Sequence, residues 1–168
     1  EAMTMGHRVA VLKDGLLQQC DTPRALYDHP ANAFVAGFIG SPGMNLKSVP
    51  LTEDGAKLDG MVIALPREAI TAAHNQGLAE IMFGVRPETL RLANADEEGF
   101  DLTVELVEEL GADAYVHGAV PIGAVTERFV VRVDGRTPPT IGQTVKVTLR
   151  DAAETHLFNP KTGDRLLN

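Results

Sequence analysis

The last third of the chain alternates between apolar and polar side chains, and this pattern constrains the fold more than any other feature. The alternation covers residues 101–106, 128–134 and 145–150. It predicts β-strands that bury one face and expose the other. Because turns containing Gly or Pro separate these short strands, the pattern favours a small closed or partly closed β-barrel. The apolar positions expected to face the core are Leu102, Val104, Leu106, Phe129, Val131, Val133, Val145, Val147 and Leu149.

The beginning of the chain contains a hairpin signal. Asp14-Gly15 lies between two runs of extended character, residues 7–13 and 16–20. An Asp-Gly pair is typical of a type I′ turn, in which both central residues need positive φ. We therefore expect the two runs to pair as antiparallel strands.

Two short helices are predicted to follow the hairpin. Thr22 supplies an N-cap oxygen for a helix over residues 23–28, which begins with a proline and ends before the next one. Asn32 is the corresponding cap for a second helix over residues 33–39. The apolar stripe expected on this second helix consists of Phe34, Val35 and Phe38.

A breaker cluster, Gly-Ser-Pro-Gly at residues 40–43, is the predicted domain boundary. It divides the chain into residues 1–40 and 41–168. After it we expect a helix that starts at Pro66 and ends before Gly77. The predicted fold class is mainly β with short helices (α+β). The strands expected around that helix cover residues 46–51, 60–65 and 80–86.

Charge and composition exclude several functions. The formal net charge of the 168-residue chain is −8, and its aromatic content is 5%, so we expect no binding of nucleic acid. From Val49 onward there are nineteen acids and eleven bases, so this later part carries the surplus of negative charge. No apolar run approaches the length of a membrane span, so we expect no direct membrane insertion. The single cysteine, Cys20, suits a reducing compartment and forms no intrachain disulfide.

Searches for catalytic and ligand-binding motifs lead us to expect no catalytic, cofactor-binding or metal site in this chain. None of the sixteen glycines is followed by Lys, so the phosphate-binding P-loop is missing from the sequence. The five histidines lie far apart, without the short spacing of a zinc site. Glu105, Glu108 and Glu109 fit a solvated acidic face better than a catalytic pair.

Arg86-Pro87-Glu88 is the polar cluster that we select as a candidate interface or regulatory site. Pro87 fixes a bend after a predicted strand and places a charged side chain on each side of it. One interpretation is a local ion pair at the strand end, and the other is a contact across a subunit interface, where Arg is enriched. Phe129 and Phe158 are expected to pack in the core, because aromatic side chains pack more often than they bind, and they are kept as further interface candidates.

Four stretches of the sequence resemble sugar-importing ABC transporters. Residues 1–45 resemble the end of the ATPase domain, directly after the family's switch histidine. The later landmarks are GVRPE at 84–88, VEELG at 107–111 and HLFNPKTGDRL at 156–166. In this order they resemble the C-terminal regulatory region of maltose-importer ATPases, an OB-like β-barrel. His7, Asp21 and Asn159 depart from the family's usual residues.

The resemblance implies that residues 1–40 end an ABC nucleotide-binding domain and that residues 41–168 form an OB-like regulatory and dimerisation (TOBE) domain. The chain would not be an enzyme, because the P-loop, signature motif and switch histidine are missing from it. ATP and Mg would bind elsewhere in the parent subunit. Implied partners are a second copy, the membrane permease subunits and a regulatory protein, with the parent subunit peripheral on the cytoplasmic face of the bacterial plasma membrane. The alternative is a stand-alone barrel that binds a sugar or small anion.

Overall fold

A computed structural model describes residues 6–167, which begin with an antiparallel hairpin. Its strands are β1 (Val9–Lys13) and β2 (Leu16–Asp21). Asp14 and Gly15 between them have φ values of 51° and 80°, so both turn residues lie in the left-handed region. The hairpin that the Asp-Gly pair predicts is confirmed.

The two predicted helices follow as α1 (Pro23–Asp28) and α2 (Ala33–Phe38). The side-chain oxygens of Thr22 and Asn32 accept hydrogen bonds from the N–H groups three residues later, at 3.2 Å and 2.9 Å. Both N-caps are therefore confirmed. Residues 6–39, which hold this hairpin and helix pair, are called the N-terminal lobe below.

The N-terminal lobe has a small core of its own. Only one side of α2 faces that core, so the predicted apolar stripe is partly wrong. Phe38 is 60% exposed and stacks on Phe34, one turn earlier, with 5.8 Å between ring centroids. The buried cluster consists of Val11, Leu26, Val35 and Ile39.

The rest of the chain, residues 44–167, is built mostly of strands and is called the β body. The mainly β fold class is confirmed. The predicted helix of this part is α3 (Arg67–Asn75), and Gly77 after it has φ +70°. The strands are β3 (Asn45–Pro50), β4 (Gly55–Leu58), β5 (Met61–Ala64), β6 (Glu80–Val85), β7 (Leu90–Leu92), β8 (Phe100–Glu109), β9 (Asp113–Ile122), β10 (Val125–Asp134), β11 (Thr144–Leu149) and β12 (His156–Phe158).

Three sheets make up the β body. A five-stranded antiparallel sheet has the order β10-β9-β8-β11-β7 and forms a half-barrel. A three-stranded antiparallel sheet has the order β12-β6-β3, and β4 pairs with β5 in a small hairpin. The strands β4, β7, β9 and β12 are not among those predicted from the sequence. Within residues 6–167, no helix is long and apolar enough to cross a membrane.

A β-bulge in β8 changes which side chains face the core. The pairing with β9 shifts between Val104 and Leu106, and Glu105 is the extra residue. Because the bulge shifts the alternation, Leu106 is 50% exposed and Val107 is partly buried against the core. The prediction that Leu106 faces the core is therefore wrong.

The acidic residues around this bulge lie on a solvated face, as the sequence indicates. Glu105 forms an ion pair with Arg128 at 2.7 Å, and Glu108 contacts His117 at 2.5 Å. Both carboxylates belong to exposed residues of β8. These contacts fit cross-strand surface pairing, which contributes little to stability.

The core of the β body is a single cluster of twenty-four buried apolar residues. Phe129 is 1% exposed, and its ring centroid lies 5.3 Å from that of Phe100. Gly118 on β9 allows a close approach, because a Cβ there would lie 2.1 Å from Leu102 Cδ2. The alternating residues of β10 thus pack as the sequence predicts.

Asn45 joins the two larger sheets with its side chain. Its Oδ1 accepts a hydrogen bond from the N–H of Val130 at 2.8 Å, and its Nδ2 donates to the C=O of the same residue at 2.9 Å. Nδ2 also donates to the C=O of Val85 at 3.1 Å. The carboxamide therefore occupies a position on β10 that a neighbouring strand would occupy in a continuous sheet.

The N-terminal lobe contacts the β body through a third, small apolar cluster of Ala36, Met44 and Phe158. The linker between them passes close to α2, since a Cβ on Gly43 would lie 2.3 Å from the C=O of Gly37. The functional boundary placed at residues 40–43 stays a prediction.

Candidate functional site

The selected Arg86-Pro87-Glu88 cluster lies where the middle strand of the three-stranded sheet ends. Arg86 directly follows β6 and has φ −76° and ψ 151°. This extended conformation is the one that a following proline favours. Pro87 is buried and begins a 3₁₀ turn, Pro87–Thr89. The sequence thus fixes the direction in which the Arg86 side chain leaves the strand.

Arg86 is buried and binds the ends of both lobe helices. Its residue exposure is 4%; Nη1 donates to the C=O of Ile39 at 2.8 Å and Nη2 to the C=O of Tyr27 at 2.9 Å. Tyr27 lies in the last turn of α1, and Ile39 is the C-cap of α2. Carbonyl groups at helix C-termini lack intrahelical partners, so one guanidinium satisfies a group on each helix.

Tyr27 also covers the guanidinium with its ring. The Cζ atom of Arg86 lies 3.9 Å from the ring centroid, which is the geometry of a cation–π contact. Within residues 6–167, Arg86 Nε has no hydrogen-bond partner. Burial lowers the pKa of Arg86 to about 10, with the charge of Asp28 acting in the opposite direction. The side chain therefore stays charged near neutral pH.

The interpretation of Arg86 and Glu88 as a local ion pair is wrong. In the part of the chain that the structure describes, both terminal nitrogens of Arg86 bind main-chain oxygens instead. Glu88 is half-buried, and its main-chain oxygen accepts a hydrogen bond from Arg150 Nε at 3.1 Å. The sequence alone does not exclude an Arg86–Glu88 ion pair, because Tyr27 and Ile39, whose main-chain oxygens Arg86 binds instead, are remote from it in the chain.

An open cleft of about 400 Å³ lies between the N-terminal lobe and the β body at this point. Charged side chains of both signs line it, among them Arg24, Asp28 and Glu154. A neighbouring cleft of about 270 Å³ shares His29 and His156 with it. The mixed charge favours no single class of ligand. In residues 6–167, no cluster of three or more His, Cys, Asp or Glu side chains could hold a metal ion.

A second arginine anchors the lobe on the far side of the smaller cleft. Arg165 Nε donates to the C=O of Pro30 at 2.8 Å, and its Nη2 lies 2.9 Å from His156 Nδ1. Since a guanidinium only donates, Nδ1 of His156 accepts this bond and carries no proton. Burial, together with the positive charge of Arg165, lowers the pKa of His156 to about 4.

The two phenylalanine candidates are both core residues. Phe158 is fully buried, and Arg165 lies over its ring, with Cζ 5.3 Å from the centroid. Phe129 packs inside the half-barrel and lies outside the residues that line the cleft. The structure therefore brings Arg86, Pro87 and Glu88 to the lobe junction and places Phe129 elsewhere. An interface role for these five residues stays a prediction.

Asn159, one of the departures from the family pattern, is buried near the same junction. Its Nδ2 donates to Gln76 Oε1 at 2.7 Å, and its Oδ1 accepts from the N–H of Lys161 at 2.8 Å. A carboxylate has no N–H to donate, so with the usual Asp the amide of Gln76 would have to donate instead. Asn159 thus ties the end of α3 to the turn after β12.

Comparisons with known proteins identify two adjoining domains in this chain. The MalK OB fold domain matches residues 40–90, and the TOBE domain matches residues 83–158. The two matches overlap at residues 83–90, the segment that contains Arg86-Pro87-Glu88. The site built above therefore lies where one domain continues into the other.

Several relatives share most of this sequence. The diacetylchitobiose uptake system ATP-binding protein MsiK of Streptomyces coelicolor is 49% identical over 99% of this chain and 47% of its own length. The sn-glycerol-3-phosphate import ATP-binding protein UgpC of Cereibacter sphaeroides is 41% identical over 99% of this chain and 44% of its own. The osmoprotective compounds uptake ATP-binding protein GgtA of Synechocystis is 43% identical over 81% and 38%. The chain spans less than half the length of these relatives.

The half-barrel and the two matched domains define a protein of the OB and TOBE class. The chain carries a MalK OB fold domain followed by a TOBE domain, and over nearly its whole length it is similar to ATP-binding proteins of uptake and import systems.

Proposed function

We propose that this chain is the regulatory and dimerisation region of the ATP-binding subunit of a carbohydrate ABC importer. The observation that carries the proposal is the ordered pair of OB and TOBE domains over residues 40–158. The relatives that cover nearly the whole chain are ATP-binding subunits of import systems. The region would couple ATP hydrolysis in the nucleotide-binding domain to sugar uptake by holding two such domains near each other.

The parent subunit supplies what this chain lacks. ATP and Mg would bind to its nucleotide-binding domain, of which residues 1–40 would form the end. Its partners would be a second copy, the membrane permease subunits and a regulatory protein, and it would lie peripherally on the cytoplasmic face of the bacterial plasma membrane. The names of the relatives give different cargoes, so the proposal extends to carbohydrate and polyol-phosphate import without naming a substrate.

Molecular mass in solution tests the dimerisation role. We expect the full-length subunit to sediment as a dimer and the same subunit without residues 41–168 to sediment as a monomer in the absence of ATP. The measurement is sedimentation equilibrium over a hundredfold range of concentration. A full-length subunit that remains monomeric at the highest concentration contradicts the proposal.

The alternative function is a barrel that binds a sugar or a small anion. The open cleft of about 400 Å³ beside Arg86 offers the space for such a ligand, although its mixed charge selects no class. Calorimetric titration with diacetylchitobiose, maltose and sulfate tests this alternative on the full-length subunit. Heat of binding that disappears in Glu154→Gln or Arg24→Met supports it, and the lack of heat with all three compounds removes it.

A further inference from the structure

The junction between the N-terminal lobe and the β body depends on a few polar contacts to main-chain oxygens. Arg86 supplies two of them, to Tyr27 and Ile39, and Arg165 Nε supplies one, to Pro30. Two main-chain bonds add to these three, from Ala33 N to the C=O of Gly163 at 2.8 Å and from Arg165 N to the C=O of Ala31 at 3.3 Å. The apolar cluster at the junction has three buried members. Directional bonds rather than a broad apolar surface therefore fix the orientation of the lobe.

Arg86 differs from the other anchors because it binds both helices at once. Its two terminal nitrogens lie in one plane, so the C=O groups of Tyr27 and Ile39 must keep a fixed relation to each other. Its main chain is held at the end of β6, the strand with neighbours on both sides, and by Pro87 after it. A displacement of β6 therefore acts on the ends of α1 and α2 together.

We propose that Arg86 is the positioning residue that makes the helix pair of the N-terminal lobe and the β body move as one unit. The unit would then carry a movement of the regulatory domain past residues 40–43 and into the segment that ends the nucleotide-binding domain. The first step of this proposal, movement as one unit, concerns only the contacts described above. The second step, transmission of that movement to the nucleotide-binding domain, depends on the proposed function. The point at which this unit moves relative to the rest of the subunit would then lie before α1 and not at the Gly-Ser-Pro-Gly linker.

Hydrogen exchange on the full-length subunit tests the first step. Arg86→Met removes both bonds while keeping an apolar stem of similar length. We expect exchange at least about tenfold faster at the amides of Leu26, His29 and Ile39, because hydrogen bonds to a charged group are lost. The amides of β8–β10 should exchange at the wild-type rate. The matched control is Arg128→Met, an exposed arginine whose ion pair lies within the β body.

Two results would overturn the coupling. One is wild-type exchange at these three amides in Arg86→Met, and the other is an equal acceleration in the β body, which would make Arg86 a general stabilising residue. If Arg86→Met does not fold, Arg86→Lys replaces it, because an ammonium keeps the charge but lacks the planar pair of donors. Arg86→Lys should then show the same local acceleration to a smaller extent.

ATP hydrolysis by the subunit assembled with its permease tests the second step. We expect Arg86→Met to reduce the stimulation of hydrolysis by transported substrate at least about fivefold, a coupling loss of ordinary size. The KM for ATP should not change, since Arg86 lies outside the nucleotide site. If Arg86→Met accelerates exchange locally but leaves the substrate stimulation of ATP hydrolysis unchanged, the helix pair and the β body still move as one unit, and the regulatory role is refuted. Unchanged exchange would refute the single unit whatever the hydrolysis rates are.

Discussion

The N-terminal lobe and the β body differ most in what holds each of them together. Four of the 34 residues in the lobe (6–39) belong to its buried core, against twenty-four of the 124 residues in the β body (44–167). The comparison teaches that the lobe depends more than the β body on contacts across the junction for its order.

The largest effect on this comparison should come from Phe129→Ala. Phe129 is 1% exposed in the half-barrel, and its removal should lower the free energy of unfolding by about 3–5 kcal/mol. Because the lobe depends on the β body, both should lose structure in one transition. Urea unfolding monitored by circular dichroism measures this. Val125→Ala is the control at a 57% exposed position, and a loss below about 1 kcal/mol for Phe129→Ala would contradict the assignment to the core.

Asn45→Ala should be next in size. It leaves the N–H and C=O of the half-buried Val130 without their partner, which costs about 2–3 kcal/mol for the two groups together. The loss should fall on the β body and leave the caps of the lobe helices intact until the main transition. Asn94→Ala, at an exposed asparagine, is the control for the same chemical change. Equal stabilities of the two variants in urea would show that Asn45 does not join the sheets.

Acid should weaken the junction through His156. Its folded-state pKa is about 4 against an ordinary value of 6.5, so the unfolded chain binds the proton first as the pH falls. Stability is unaffected by this group above pH of about 6.5 and falls by at most about 3 kcal/mol as the pH drops to about 4. His156→Gln should remove that part of the pH dependence. The control is His74→Gln on α3, and an identical pH profile for wild type and His156→Gln would refute the prediction.

Thr22→Ala should have the smallest effect and should be confined to the lobe. It removes the N-cap bond to the amide of Ala25, which is worth about 1 kcal/mol. Hydrogen exchange at Ala25 should accelerate while β8 keeps its protection. Thr126→Ala, at an exposed position of β10, should leave the exchange rates at Ala25 and in β8 unchanged. Equal acceleration in the lobe and in β8 would show that the two regions do not differ in local stability.

Local signals made much of the fold predictable from the sequence. The Asp14-Gly15 turn, the caps Thr22 and Asn32 and the helix end at Gly77 all depend on a few neighbouring residues. The buried face of β10 follows from alternation alone. By contrast, the extra residue Glu105 leaves no composition signal, because a bulge depends on how β8 pairs with β9.

The candidate site was predictable only in part. The proline after Arg86 drew attention to the cluster, but its partners Tyr27 and Ile39 lie 59 and 47 residues away. Arg165 and Asn45 act through equally remote main-chain atoms, at separations of 135 and 85 residues. Sequence spacing contains no information on such contacts, so these residues were missed. For Phe129 and Phe158, residue type favours core packing, and both side chains are buried.

The bulge at Glu105 has a consequence for the protein in concentrated solution. Beyond it, β8 pairs with β9 alone among the described strands, and Glu105, Glu108 and Glu109 place negative charge along this stretch. An incoming strand from another molecule would meet a bent main chain and negative charge instead of a flat row of free N–H and C=O groups. The irregularity that misled the alternation pattern therefore protects this strand from edge-to-edge aggregation.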